Sequence, residues 1–227
     1  MSGFRLFLDS ADPGAWARWL PTRLFHGVTT NPTILERAGR SSGPHELAAL
    51  ATACLAYPIE ELHVQCSGSD AATLVATGRA IAALDRRIVV KVPLTYDGVL
   101  AVAQLHACGI RTTITAVHAE HQAVTAAAAG AAYVAPYFGR IGDGGGDGRA
   151  AITAMLAILR TGGNATRLLV ASVRGAQEVA WLAAAGCDTM TFGPQVAEEL
   201  FADARTAAAV DAFETSARQT RGAATPR

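Results

Sequence analysis

A chain of 227 residues fits one sizeable domain and leaves two full domains cramped. With 51% apolar and 17% charged residues it can bury a large core, which excludes a disordered chain. Nineteen Lys and Arg against nineteen Asp and Glu leave no net charge to gather nucleic acid or an anionic membrane, so any phosphate recognition has to be local.

Short apolar runs alternate with Ala-rich segments of helical length along the whole chain. Residues 4–8 read as the first strand, and Arg5 and Asp9 interrupt the N-terminus before a signal-peptide run can form. Further strands are predicted over 24–28, 62–66, 88–92, 112–116, 132–135, 168–171 and 189–192, which makes eight. Between them, 71–84, 98–107, 119–129, 150–159 and 175–185 read as helices, with Gly109, Gly130, Gly162 and Gly186 as stop signals. Residues 122–139 carry no charge, but Ala dominates the stretch and Gly130 and Pro136 break it, so it reads as helix, turn and buried strand, and no membrane partner is expected. Cys54, Cys66, Cys108 and Cys187 are scattered without CxxC pairing, as reduced and mostly buried thiols in the cytoplasm would be.

Strand, helix, strand repeated across the whole length predicts a parallel sheet, and the count of eight strands predicts its closure as an α/β fold, a single (βα)8 TIM barrel over residues 1–202. No GxGxxG opens the chain to favour an open dinucleotide-binding sheet. Residues 203–227 read as one more helix with a polar tail, Val210, Phe213 and Ala217 forming a stripe suited to an oligomer contact.

A barrel carries its chemistry at the C-terminal ends of its strands. There stand Asp9, Asn31, Gln65, Lys91, Thr115, Tyr137 with Arg140, and Ser172 with Arg174, so seven of the eight strands deliver polar groups to one rim. Singly each has a bland reading: Asp9, Asn31 or Ser172 as helix caps, Thr115 as a strand residue, Tyr137 as a core aromatic. Lys91 is the only lysine, within the apolar run Ile88-Val89-Val90-Lys91-Val92, while arginine supplies every other strong positive charge. Arginine cannot replace a free amine that must form an imine. A lysine with pKa about 10.4 is neutral about once in 2,500 molecules at neutral pH, and desolvation beside Val89 and Pro93 raises that fraction. The bland alternative is a lysine that snorkels to the rim and pairs with Asp9. His63, His106, His118 and His121 lack ligand spacing and read as core or surface residues, so no metal and no cofactor is expected.

The segments FLDSAD from Phe7, GVTTNPTI from Gly27, VVKVPLT from Val89, GAAYVAPY from Gly130, Gly139-Arg140-Ile141 and Ala171-Ser172-Val173-Arg174 resemble the transaldolase family, and within it the fructose-6-phosphate aldolase-like subgroup, over nearly the whole chain. The resemblance implies that Lys91 forms a Schiff base, that Asp9 and Asn31 hold donor hydroxyls, and that Arg140, Ser172 and Arg174 bind the substrate phosphate. Gln65 and Tyr137 match the aldolase subgroup, where transaldolases carry Glu and usually Phe, and with Thr115 they are implied to hold a catalytic water. Departures are Gly142 in place of the usual Asp, with Asp143 following it, and His118 where Tyr is common. The segment from Gly142 to Gly148 is rich in glycine, as a flexible connector or a mobile cover would be. The implied activity is a class I aldolase cleaving the C3–C4 bond of fructose 6-phosphate or a related ketose, in a ring-shaped homo-oligomer such as a decamer. The alternatives are a transaldolase, which passes the three-carbon unit to an aldose phosphate, and a non-catalytic barrel that binds sugar phosphates.

Overall fold

The computed structural model describes residues 3–161, 163 and 165–223. Nine parallel strands are β1 (Arg5–Asp9), β2 (Phe25–Thr29), β3 (Glu61–Gln65), β4 (Ile88–Pro93), β5 (Thr112–Val117), β6 (Tyr133–Pro136), β7 (Arg167–Leu168), β8 (Val170–Val173) and β9 (Thr189–Phe192). They form one sheet in the order β7-β6-β5-β4-β3-β2-β1-β9-β8. β7 and β8 are two pieces of one barrel strand separated by Leu169: β7 pairs with β6 and β8 with β9. A Leu169 amide to Val134 carbonyl bond of 2.9 Å and a Tyr137–Ala171 bridge carry the pairing across the gap. The ring therefore has eight members, as expected, and every predicted strand lies within a residue or two of an observed one.

Around it run α1 (Pro13–Trp19), α2 (Pro32–Arg37), α3 (Pro44–Leu55), α4 (Ala71–Ala82), α5 (Tyr96–Ala107), α6 (His121–Ala128), α7 (Phe138–Asp143), α8 (Gly148–Arg160), α9 (Ala176–Ala184), α10 (Pro194–Glu199) and α11 (Ala204–Ala223). Proline opens α1, α2, α3 and α10, where its fixed φ suits the first turn and no amide is missed. Asp12, Asn31, Asp70, Thr95 and Asp147 cap helices by accepting backbone amides. Gly109, Gly130 and Gly186 adopt φ of 74°, 78° and 92° after their helices, as stop signals should; Gly162 and residues 224–227 lie outside the described residues. Among the described residues no helix is long and apolar enough to cross a membrane.

Alternation along the strands separates two apolar clusters. Leu8, Val28, Leu62, Val90, Ile114, Val134 and Met190 face outward into the main core beneath the helices, whereas Phe7, Val89, Tyr133, Ala135 and Leu169 form a smaller cluster inside the barrel. The remainder of the lumen also carries buried polar side chains, among them Thr29, Thr113 and Thr191. At its lower end the buried Glu61 accepts from Arg111 at 2.6 Å and Tyr133 at 2.8 Å and lies 3.0 Å from the His63 ring, which in turn meets Thr113 at 2.9 Å. Burial alone would raise the Glu61 carboxyl, but the donors around it, among them His26, His63 and Arg111, outweigh that and hold it far below the usual range. Burial pushes His63 down to about 4, so it is a neutral core residue. Gly27 is required where β2 and β3 touch, because a Cβ there would lie 2.1 Å from the Glu61 carbonyl oxygen and 2.8 Å from the Phe7 ring. Cys54, Cys66 and Cys187 are buried free thiols as expected, and Cys108 is exposed.

Candidate active site

Strand ends and the loops after them enclose a cavity of about 450 Å³, lined by Asp9, Asn31, Lys91, Tyr137, Arg140, Ser172 and Arg174 among others. Seven of the nine residues singled out in the sequence therefore share one wall. Lys91 is the buried floor, 5% exposed. Its Nζ donates to the Thr30 carbonyl at 2.9 Å and makes no ion pair among the described residues, so the snorkelled pairing with Asp9 is not what holds it. Burial lowers its pKa, opposed by the charge of Asp9.

Asp9 opens onto the cavity but is otherwise enclosed, and burial raises its carboxyl despite the nearby charge of Lys91 and the bond from Thr29. Thr29 donates to Asp9 Oδ1 at 2.5 Å and its Oγ1 lies 2.6 Å from Thr191 Oγ1. A hydroxyl has one proton. With Thr29 giving its own to the Asp9 carboxylate, Thr191 must donate to Thr29, and the three form a directed chain.

Asn31 caps α2, its Oδ1 accepting the Ile34 amide at 2.9 Å, and the residue also lines the cavity. Thr115 and Tyr137 are hydroxyl partners at 3.0 Å, and Arg140 stacks 4.6 Å from the Tyr137 ring centroid. Thr115 is set back behind Tyr137. Gln65 pairs in register with Lys91 on the adjoining strand, and it too lies outside the cavity wall.

Two backbone departures lie near the rim. Ala116 and Ser172 adopt φ of 61° and 60°, each inside a register shift, of β5 against β6 and of β8 against β9. Left-handed conformations at non-glycine residues cost on the order of 1–3 kcal/mol and persist where the surroundings enforce them. The strain at Ser172 presents that residue to the cavity.

Sequence reasoning missed Thr29, Thr191 and Arg37, all near Asp9. The alternation Thr189-Met190-Thr191-Phe192 was the available signal, since it aims Thr191 into the lumen and supplies the polar group of the eighth strand. Arg37, on the last turn of α2, lines the cavity opposite the Arg140 and Arg174 side. His118, at the edge of the Tyr137 ring, and His106 and His121 are exposed.

The architecture defines a closed (βα)8-barrel protein with a polar cavity at the C-terminal ends of its strands. The chain belongs to the transaldolase/fructose-6-phosphate aldolase family, a family of enzymes whose model matches residues 6–225. A "Probable transaldolase" of Caulobacter sp. (strain K31) is 38% identical over 197 residues, covering 87% of this chain and 88% of that one. Proteins of the same description from Phenylobacterium zucineum (strain HLK1) and Lactiplantibacillus plantarum (strain ATCC BAA-793 / NCIMB 8826 / WCFS1) are 36% and 34% identical, each covering 87% of this chain and 88% of its own length. The solved structure described as "Native KDPGal structure" superposes with a TM-score of 0.57 at 15% identity, over 83% of this chain and 81% of that one, and bears on the fold alone.

Proposed function

We propose that the chain is a class I, Schiff-base enzyme in which Lys91 captures the C2 carbonyl of fructose 6-phosphate or a related ketose. The observation that carries the reading is the state of Lys91: buried on the cavity floor, bonded to a carbonyl rather than a carboxylate, with a depressed pKa. The neutral amine adds to C2, one proton is taken up and water leaves, giving an iminium that draws electrons from the C3–C4 bond. A base removes the C4 hydroxyl proton as that bond breaks, the aldehyde departs, and a three-carbon enamine stays on Lys91. Protonation and hydrolysis then release dihydroxyacetone and the free amine.

Asp9 is suited to receiving and returning protons beside Lys91, because burial raises its pKa above the usual carboxylate value and Thr29 fixes its orientation. Tyr137, with Thr115 as its hydroxyl partner, can hold the water that mediates the C4 proton, and Gln65 on the neighbouring strand is assigned to the same water. Asn31 holds donor hydroxyls, and Arg140, Ser172 and Arg174 take the phosphate.

The second reading is a transaldolase, and the description of the relatives favours it. Fructose 6-phosphate alone separates the two: catalytic accumulation of free glyceraldehyde 3-phosphate is expected of the aldolase, whereas a transaldolase needs an added aldose phosphate. Retention of full biological effect and ligand affinity by Lys91→Arg would instead point to a non-catalytic sugar-phosphate-binding barrel. We assign α11 to an oligomer contact, since Val210 and Phe213 on it are 50% and 71% exposed. Truncation after residue 202 should lower the mass found by ultracentrifugation, and an unchanged mass would discard that assignment.

A further inference from the structure

Arg174 reaches the cavity already engaged. Its Nη1 donates to Asp143 Oδ1 at 2.8 Å and its Nη2 to Oδ2 at 2.5 Å. This fork-on-fork pair occupies the two donors that a phosphate monoester would take. The Nε edge faces Gly139, where a Cβ would lie 2.6 Å from that nitrogen, so the chain itself closes the third side. Of the three guanidinium groups on the cavity wall, Arg37, Arg140 and Arg174, only Arg174 is ion-paired among the described residues.

Asp143 is held so that it can leave. It is the last residue of α7, with Gly142 before it and Gly144, Gly145 and Gly146 after it, and a Cβ at Gly142 or Gly145 would meet nothing within 4 Å. Gly145 adopts φ 79°, the freedom that glycine brings. The paired side chains are 52% and 57% exposed, so water can take either partner as they separate.

We propose that Asp143 is a built-in competitor for substrate phosphate: it occupies Arg174 while the cavity holds no anion, and a phosphate-bearing substrate must displace it. Asp143 thereby sets how strongly the enzyme prefers phosphorylated over uncharged ketoses and aldehydes. The inference rests on reading the cavity as a sugar-phosphate site. With the pair closed, the charge of Arg174 is cancelled and an uncharged substrate meets a less demanding rim; with it open, Arg140, Ser172 and Arg174 act on the anion together. No covalent step is involved, only the exchange of one acceptor for another on the same guanidinium.

Asp143→Asn in the full chain removes the competing charge at an exposed position and keeps the side-chain shape. Calorimetric titration with inorganic phosphate should give a Kd about two- to fivefold lower in the variant, the range that an exposed ion pair sustains. The difference should shrink as salt is added. KM for fructose 6-phosphate should fall relative to KM for fructose, with kcat moving less than KM. Phosphate binding that is unchanged or weaker in the variant would overturn the inference and make Asp143 a residue that orients Arg174. Normal borohydride trapping of dihydroxyacetone on Lys91 alongside unchanged phosphate affinity would sink this inference and leave the proposed reaction standing. Tighter phosphate binding with no adduct on Lys91 would do the reverse.

Discussion

Lys91→Met should make the protein more stable while abolishing turnover. The ammonium of an unfolded lysine is fully hydrated; in the barrel Lys91 is 5% exposed and, among the described residues, donates to the Thr30 carbonyl alone. Burying a polar group so sparsely compensated costs about 1–3 kcal/mol. Methionine matches the unbranched stem, so little repacking is needed, and the lost bond to Thr30 gives back about 1 kcal/mol. A net gain of up to about 2 kcal/mol corresponds to a rise in Tm of up to about 8 °C in a chain of this size. Burial depresses the folded-state pKa of Lys91 below its unfolded value. Between those two values the unfolded chain binds more protons, so wild-type stability rises with pH across the window and the penalty is gone above about pH 10.4. Urea unfolding at neutral pH and near pH 10 measures both parts: the variant should lead at neutral pH, and its lead should narrow as pH rises. A variant less stable than wild type at neutral pH, or a gap independent of pH, would refute the reasoning.

Tyr137→Phe removes the hydroxyl that meets Thr115 and should lower kcat by about 10²–10⁴-fold while KM and Tm change little; steady-state kinetics with melting curves test it, and a purely KM effect would remove Tyr137 from proton handling. Thr29→Val deletes a bond that lowers the Asp9 pKa, so the pH profile of kcat/KM should shift its acid limb to higher pH, and an unmoved limb would detach Asp9 from the rate. Glu61→Gln removes the buried carboxylate that Arg111, Tyr133 and His63 meet and should destabilise the barrel by about 1–3 kcal/mol in urea melts. Because the folded pKa of Glu61 lies below its unfolded value, its stabilisation is present above about pH 4.3 and is lost as pH falls through the folded pKa. A variant with wild-type acid unfolding would contradict that.

The eight-strand count, the parallel closure and the rim were legible because each depends on local pattern: apolar runs of strand length, glycines after helices, a polar residue at the end of seven of the eight runs. Lys91 was legible for a chemical reason, an amine retained where arginine serves everywhere else. Its environment was not. Ile88–Pro93 reads as apolar on both faces, yet the lumen beside it is assembled from odd-numbered residues of other strands, including Thr29, Gln65, Thr113 and Thr191, and only closure brings them together. Glu61 and Tyr133 are bonded across 72 positions of sequence, which no local periodicity can disclose. The short proline-opened helices escaped because six or seven residues give little more than one apolar repeat. The break at Leu169 follows from its side chain joining the lumen cluster while β7 and β8 pair to different neighbours.

Borohydride reduction in the presence of dihydroxyacetone, followed by peptide mass mapping, shows whether an uncharged Lys91 amine bonds covalently to a substrate carbonyl. A stable three-carbon adduct on the peptide containing Lys91, absent from Lys91→Met, is the predicted result. An unmodified Lys91 peptide from protein that still turns over ketose would contradict it.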